Sequence, residues 1–216
     1  MKKTAGKIGV VRFPGSNCDQ DVYQFVAEKN YTPEYLWHLD HFDLKDYLAL
    51  LLPGGFSYGD YLRSGALSAR SPVMNSVREF ANRGGPILGI CNGFQVLAES
   101  GLLPGALVKN ARLRFIDDWV NLKVENANPF WAKNWTGDKM YLPIAHGDGR
   151  YYAPADDLKK IEDGDQIWLR YVENPNGSLL NIAGVMNQKK NVAGLMPHPE
   201  RAIFDWMGSV DGWSFL

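Results

Sequence analysis

Cys91 stands in a setting where a thiol can act as a nucleophile. The apolar run Ile87 to Ile90 predicts a buried strand, and a helical pattern follows Cys91 at once and ends near Ser100. A strand, a sharp turn and a helix, with the reactive residue at the turn, form a nucleophile elbow, here with Cys in place of Ser. The thiol then lies at the positive end of the helix dipole, which favours the reactive thiolate.

Three further residues support this interpretation of Cys91. Gly89 and Gly93 flank it two residues away on either side, where a side chain would obstruct the turn and the close approach of helix to strand. Gln95 follows one helical turn later on the same face, so we expect its side chain to reach a substrate held at the sulfur. The alternative is that Cys91 is a small buried hydrophobe at a strand–helix junction, because the motif alone does not separate the two.

His198 is the candidate general base. It follows the apolar run Val192 to Met196, and Pro199 after it favours an extended conformation at His198. Residues two apart in an extended segment point to the same side, so we expect Glu200 to lie beside the imidazole and to orient it. Taken alone, a His-Pro-Glu tripeptide is far more typical of a surface turn, and only Cys91 gives it a catalytic interpretation.

A second histidine cluster offers a rival chemistry. His38, Asp40, His41 and Asp43 lie close together in the sequence and have side chains that can bind a metal ion. No second group of ligands accompanies them, and a polar loop after a strand commonly has this composition. We therefore predict no metal site in this chain.

Acyl transfer through a thioester also needs two preorganised donors for an oxyanion. The backbone N–H of Asn92, the residue after the nucleophile, is one candidate. The second is the N–H of Gly55, because the pair Gly54 and Gly55 follows a predicted strand and paired glycines let a peptide turn toward a substrate. An ordinary glycine turn is the alternative at this position.

The elements that must position these residues alternate along the first half of the chain, as in βαβ units around a mostly parallel sheet with flanking helices. Glycine and proline cluster after the apolar runs, where loops at the carboxyl ends of strands bind ligands in open α/β sheets. The second half predicts strands that extend the same sheet, and residues 1–216 are predicted to form a single domain. The predicted strands are Ile8 to Phe13, Leu48 to Leu52, Ile87 to Ile90, Arg112 to Val124, Met140 to Ala145, Ile167 to Tyr171, Ile182 to Met186 and Val192 to Met196.

Composition excludes some classes of binding partner and indicates the cellular compartment. The 216 residues are 45% hydrophobic with a formal net charge of −1, so no basic field is available for nucleic acid, and no segment approaches the length of a membrane span. The two cysteines, Cys18 and Cys91, are too few for a disulfide framework and fit a reducing compartment. We therefore expect a cytoplasmic protein that binds neither nucleic acid nor membrane.

The elbow around Cys91, the Pro-Gly-Gly loop at 53–55 and the His-x-Glu pair at 198–200 together resemble the class I glutamine amidotransferase family. Longer stretches spread over the chain are more specific, and they are similar to members that serve as separate glutaminase subunits in purine biosynthesis. These stretches are Arg12 to Asp19, Gly54 to Ala66, Ile144 to Arg150 and Asn174 to Ser178.

The resemblance implies a single-domain flavodoxin-like fold with a small antiparallel extension, and a site in which Cys91 attacks the side-chain amide of glutamine. Ammonia leaves, water cleaves the glutamyl thioester, and the ammonia passes to a large synthetase subunit that works with a small accessory subunit. The resemblance implies no cofactor in this chain, with ATP and Mg on the synthetase, and the sequence has no phosphate-binding Gly-x-x-x-x-Gly-Lys-Ser/Thr loop. A protease-like thiol hydrolase and a non-catalytic interaction module are the alternatives.

Overall fold

A computed structural model describes residues 5–216, so residues 1–4 of the predicted domain lie outside the described part. Helices and strands alternate through the first half, and strands dominate the second. The helices are α1 (Asp19–Glu28), α2 (Val73–Asn82), α3 (Asn92–Glu99) and α4 (Ala155–Asp163). The strands are β1 (Lys7–Arg12), β2 (Thr32–Trp37), β3 (Tyr47–Leu52), β4 (Ile87–Ile90), β5 (Ala106–Val108), β6 (Ile116–Val124), β7 (Met140–His146), β8 (Arg150–Tyr152), β9 (Ile167–Tyr171), β10 (Ile182–Met186) and β11 (Val192–Leu195).

The parallel part of the main sheet has the strand order β2-β1-β3-β4-β11. β3 and β4 are buried along most of their length, as expected for parallel strands covered on both faces. Because parallel strands share one direction, the loops after β1, β3, β4 and β11 meet at one edge of the sheet. This edge carries the candidate residues of the elbow at Cys91, of the Gly54–Gly55 loop and of the His198–Glu200 pair, as the sequence predicted.

The antiparallel part continues the same sheet in the order β11-β10-β9-β6-β7. The α/β fold and the extension of the sheet by the second half are confirmed. The antiparallel extension is larger than predicted, since it contributes four of the nine strands. β5 and β8 form a separate two-stranded sheet.

Strand β2 was missed in the sequence because Pro33 interrupts its pattern. The strand pairs with β1 on one side only, at the edge of the sheet, where a missing N–H costs no ladder hydrogen bond. Strand β6 begins at Ile116, later than the Arg112 predicted. Helix α4 was also missed, because it is short and mostly polar, and Ile161 is its one buried residue.

Helix α3 packs so closely on the parallel strands that one position tolerates only glycine. A Cβ atom at Gly93 would lie 1.9 Å from the carbonyl oxygen of Leu52 in β3. This contact fixes the start of α3 against the sheet, as the glycines around Cys91 predicted. Between residues 5 and 216, no helix is both long and apolar enough to cross a membrane.

Candidate active site

Cys91 occupies the sharp turn between β4 and α3. Its φ is 50° and its ψ is −106°, a strained conformation for a residue with a side chain and the one a nucleophile elbow requires. Its N–H donates to the carbonyl oxygen of Leu195 in β11 at 2.8 Å, which stabilises the turn. The side chain is 5% exposed. The thiol is therefore held at the first turn of α3, at the carboxyl edge of the sheet.

His198 and Glu200 lie side by side, as predicted. Nδ1 of His198 is 2.6 Å from Oε1 of Glu200, and both residues are buried. The local reason differs from the predicted one, because Glu200 lies in a 3-10 turn, Pro199–Arg201, rather than in an extended segment. The backbone N–H of His198 donates to the carbonyl oxygen of Pro143 in β7 at 2.8 Å, so the antiparallel part of the sheet also positions this residue.

His198 also lies beside Cys91. A Cβ atom added to Gly54 would be 2.7 Å from Cε1 of His198 and 3.4 Å from Cβ of Cys91, so both side chains border the same glycine. Burial alone would lower the pKa of His198, but the negative charges of Glu200 and the Cys91 sulfur outweigh it and raise the pKa to about 10. Nε2 of His198 is buried and has no hydrogen-bond partner within residues 5–216, so it is free to exchange a proton at the thiol.

The loop of Gly54 and Gly55 presents its peptide in a defined orientation. The carbonyl oxygen of Gly54 accepts a hydrogen bond from the N–H of Cys18 at 3.3 Å. The described peptide bonds contain no cis bond, and in a trans peptide the N–H points opposite to the carbonyl, so the N–H of Gly55 is directed away from Cys18. Gly55 has a φ of 138° and lines the same cavity as Cys91.

Asn92, whose N–H is the other candidate donor, is the first residue of α3. Its side chain braces the same region, because Oδ1 accepts from the N–H of Ser57 at 3.3 Å and Nδ2 donates to Oε1 of Gln95 at 2.9 Å. Nε2 of Gln95 donates to the carbonyl oxygen of Asp148 at 2.7 Å. Gln95 lines the cavity as predicted, but its amide group is also engaged in fixing the walls of that cavity.

The cavity beside Cys91 has a volume of about 110 Å³. Part of its wall comes from residues whose individual roles were not predicted from the sequence, although all of them except Phe115 lie in the two stretches at 54–66 and 144–150 that carried the resemblance. These are Phe56, Asp60, Ser64, Phe115, Ala145, His146, Gly147 and Asp148. Their spacing carries no signal of a shared site, because two separate loops and the start of β6 bring them together.

Cys18 contacts residues that adjoin the site. Nη2 of Arg201 donates to Sγ of Cys18 at 3.1 Å and to a carboxylate oxygen of Asp21 in α1 at 2.9 Å. Burial, together with the negative charge of Glu200, raises the pKa of the Cys18 thiol and keeps it protonated. Cys18 thus acts through its backbone N–H on Gly54 and through packing.

His38, the buried member of the rival histidine cluster, is engaged in a hydrogen bond. Nδ1 of His38 lies 2.6 Å from the hydroxyl of Tyr58, and His38 is buried. The three potential metal ligands that the described residues bring within 4.8 Å of one another are Cys18, His198 and Glu200, which the contacts above already explain.

Comparisons with known proteins find relatives that match this chain over most of its length. Residues 5–213 match the family model of the CobB/CobQ-like glutamine amidotransferase domain. The chain is 52% identical over 211 residues, 97% of each chain, to the phosphoribosylformylglycinamidine synthase subunit PurQ of Prochlorococcus marinus (strain NATL2A). It matches a chain in the structure of PurLQS from Thermotoga maritima with a TM-score of 0.89 and 46% identity, covering 97% of this chain and 94% of that one.

A more distant structure shares the fold. A glutamine amidotransferase from Thermotoga maritima has a TM-score of 0.63 and 19% identity, with coverage of 93% of this chain and 78% of that one. The family model spans almost all of the described residues, and the PurQ relative extends over nearly the full length of both chains. This chain therefore belongs to the family of CobB/CobQ-like glutamine amidotransferase domains.

Proposed function

We propose that this chain is the glutaminase subunit of a phosphoribosylformylglycinamidine synthase and that it makes ammonia from glutamine at Cys91. The observation that carries the chemistry is the buried pair of His198 and Glu200, joined at 2.6 Å and bordering the same glycine as Cys91. The relation to the PurQ subunit, over nearly the full length of both chains, supports the choice of synthase.

The reaction starts with a proton shared between Cys91 and His198. Because Glu200 stabilises the imidazolium, His198 can take the proton of the Cys91 thiol as the sulfur attacks. The sulfur attacks the side-chain amide carbon of glutamine, and the oxyanion that forms accepts hydrogen bonds from the N–H groups of Gly55 and Asn92. The C–N bond breaks as His198 donates its proton to the nitrogen, and ammonia leaves.

The second half of the reaction regenerates the free sulfur of Cys91. A glutamyl thioester remains on Cys91, and His198, now neutral, accepts a proton from the attacking water. A second oxyanion forms in the same place and collapses with cleavage of the C–S bond. Glutamate leaves and the sulfur takes back its negative charge. Gln95 holds Asn92 beside the cavity, and its remaining amide N–H is available to the substrate.

We assign the acceptor chemistry to partner chains. The synthetase subunit converts formylglycinamide ribonucleotide to the amidine with ATP and Mg, and a small accessory subunit completes the complex. The present chain, which we take as one domain over residues 1–216, contributes ammonia and needs no cofactor of its own for the steps above. Purine biosynthesis places such a complex in the cytoplasm.

Reconstitution tests this assignment. The chain mixed with the synthetase and accessory subunits should convert formylglycinamide ribonucleotide, ATP and glutamine to amidine, with one glutamate formed for each amidine. Without the chain, ammonium chloride but not glutamine should support the reaction. Glutamine-dependent synthesis in the absence of the chain, or amidine formed without glutamate, would contradict the proposal.

A further inference from the structure

His146 presents an unused hydrogen-bond acceptor in the Cys91 cavity. Nδ2 of Asn110 donates to the carbonyl oxygens of Arg114 and His146, each at 2.9 Å, which fixes the orientation of the amide. Oδ1 of Asn110 therefore faces the imidazole, 3.2 Å from Nδ1, and it also accepts from the N–H of Gly149 at 3.1 Å. An amide oxygen only accepts, so Nδ1 of His146 carries the proton and Nε2 is the acceptor.

This acceptor has no partner in the protein. His146 is 2% exposed, it lines the cavity, and its Nε2 is buried without a hydrogen bond to any residue between 5 and 216. Burial, with the positive charge of His198, lowers the pKa of His146 to about 4, so the ring is neutral near pH 7. A buried acceptor left unpaired is costly, and a donor from a bound molecule would remove that cost.

Two carboxylates line the same cavity. Asp148 accepts from the hydroxyl of Ser64 at 3.0 Å, and Oδ1 of Asp60 lies 3.4 Å from Nδ2 of Asn92. Within the described part of the chain, neither carboxylate is in an ion pair with a basic side chain. Burial and the charge of Asp148 raise the pKa of Asp60 to about 6, so the two negative charges oppose each other.

The walls of the cavity therefore offer acceptors and negative charge to a bound molecule. Glutamine held with its side-chain amide at Cys91 carries one cationic group, the α-ammonium, which has three N–H donors. We propose that Asp60, Asp148 and Nε2 of His146 form the subsite that binds the α-ammonium of glutamine. This inference rests on the proposed function, because it takes glutamine as the substrate at Cys91.

The subsite explains how an amide substrate is selected. Glutaramate, which is glutamine without its α-amino group, presents the same amide to Cys91 but leaves the two carboxylates without a cationic partner. The site should therefore favour glutamine by charge-assisted hydrogen bonds that desamino substrates do not make. Asp60 is the best probe, because the mutual repulsion of the two carboxylates is relieved by a bound cation.

The test compares Asp60→Asn with the wild type on both substrates in the reconstituted complex. We expect KM for glutamine to rise about 10- to 100-fold with kcat changed only a few-fold, and kcat/KM for glutaramate to stay within about threefold. Asp117→Asn, which removes a carboxylate outside this cavity, should change neither. The unfolding temperature of the variant chain and its assembly with the synthetase report whether the variant is folded.

The outcomes separate the two proposals. An equal loss for glutamine and glutaramate, or no loss for either, overturns the α-ammonium subsite alone. A folded wild-type complex that fails to use glutamine overturns the proposed function, and the subsite with it. A larger loss for glutamine than for glutaramate in Asp60→Asn supports the subsite, and the same pattern in Asp148→Asn assigns both carboxylates to it.

Discussion

Replacing Cys91 with Ala is expected to abolish glutamine-dependent amidine formation and to leave the ammonia-dependent reaction of the same complex unchanged. The glutamine-dependent rate should fall by at least about a thousandfold, because the sulfur forms the covalent bond to the substrate and no other group in the cavity replaces it. The side chain is small and the backbone anchors of the elbow remain, so the chain should still fold and bind its partners. Steady-state rates with glutamine and with ammonium chloride measure both effects.

Cys18→Ala is the matched control for this experiment. It removes the other buried thiol of the chain but keeps the backbone N–H that holds Gly54. We expect glutamine-dependent activity within about tenfold of the wild type, since the lost contact with Arg201 affects packing rather than chemistry. A lower unfolding temperature of Cys91→Ala, or its failure to assemble with the synthetase, would mean that Cys91 is structural. An equal loss of glutamine-dependent activity in Cys18→Ala would point to a general disturbance of the loop.

Glu200→Gln is expected to have the second-largest effect. Gln can still accept the Nδ1–H hydrogen bond of His198 but carries no negative charge, so the imidazolium loses its main stabilisation in a buried site. Burial then dominates and the pKa of His198 falls, so His198 becomes a weaker base toward the Cys91 thiol. We expect glutaminase kcat/KM to drop by about 10²- to 10⁴-fold, with ammonia-dependent synthesis unchanged.

A titration followed by NMR shows whether charge is the cause. In the wild type the imidazole of His198 should remain protonated at pH 7 and lose its proton near pH 10, whereas in Glu200→Gln it should be neutral at pH 7. Glu34→Gln serves as the control. It removes a carboxylate of the partly exposed strand β2, where Glu34 pairs with Lys7 of the neighbouring strand β1. An unchanged His198 titration in Glu200→Gln would contradict the electrostatic account.

The parts of the site that were predicted from the sequence are those that local patterns define. The elbow at Cys91 follows from a strand, two flanking glycines and a helix that are contiguous in the chain. His198 and Glu200 are two residues apart, so their proximity needed no knowledge of the fold, although the 3-10 turn that brings them together differs from the predicted extended segment. The parallel order of the strands then places both motifs at one edge of the sheet.

The parts that were not predicted depend on contacts distant in sequence. Asp60 and Asp148 meet across 88 positions only because the loop after β3 and the loop after β7 close over the same cavity. The tautomer of His146 depends on the amide orientation of Asn110, which is set by the carbonyl groups of Arg114 and of His146 at the end of β7. The role of Gln95 as a brace likewise follows from hydrogen bonds that no periodicity indicates.

The central claim is that the sulfur of Cys91 attacks the glutamine amide, and covalent labelling with 6-diazo-5-oxonorleucine tests it most directly. This glutamine analogue carries an electrophile where glutamine carries its amide, so peptide mass spectrometry should find one adduct per chain, on Cys91. Excess glutamine should slow the labelling, and Cys91→Ala should prevent it. Labelling at Cys18 or elsewhere, or inactivation without an adduct on Cys91, would contradict the account.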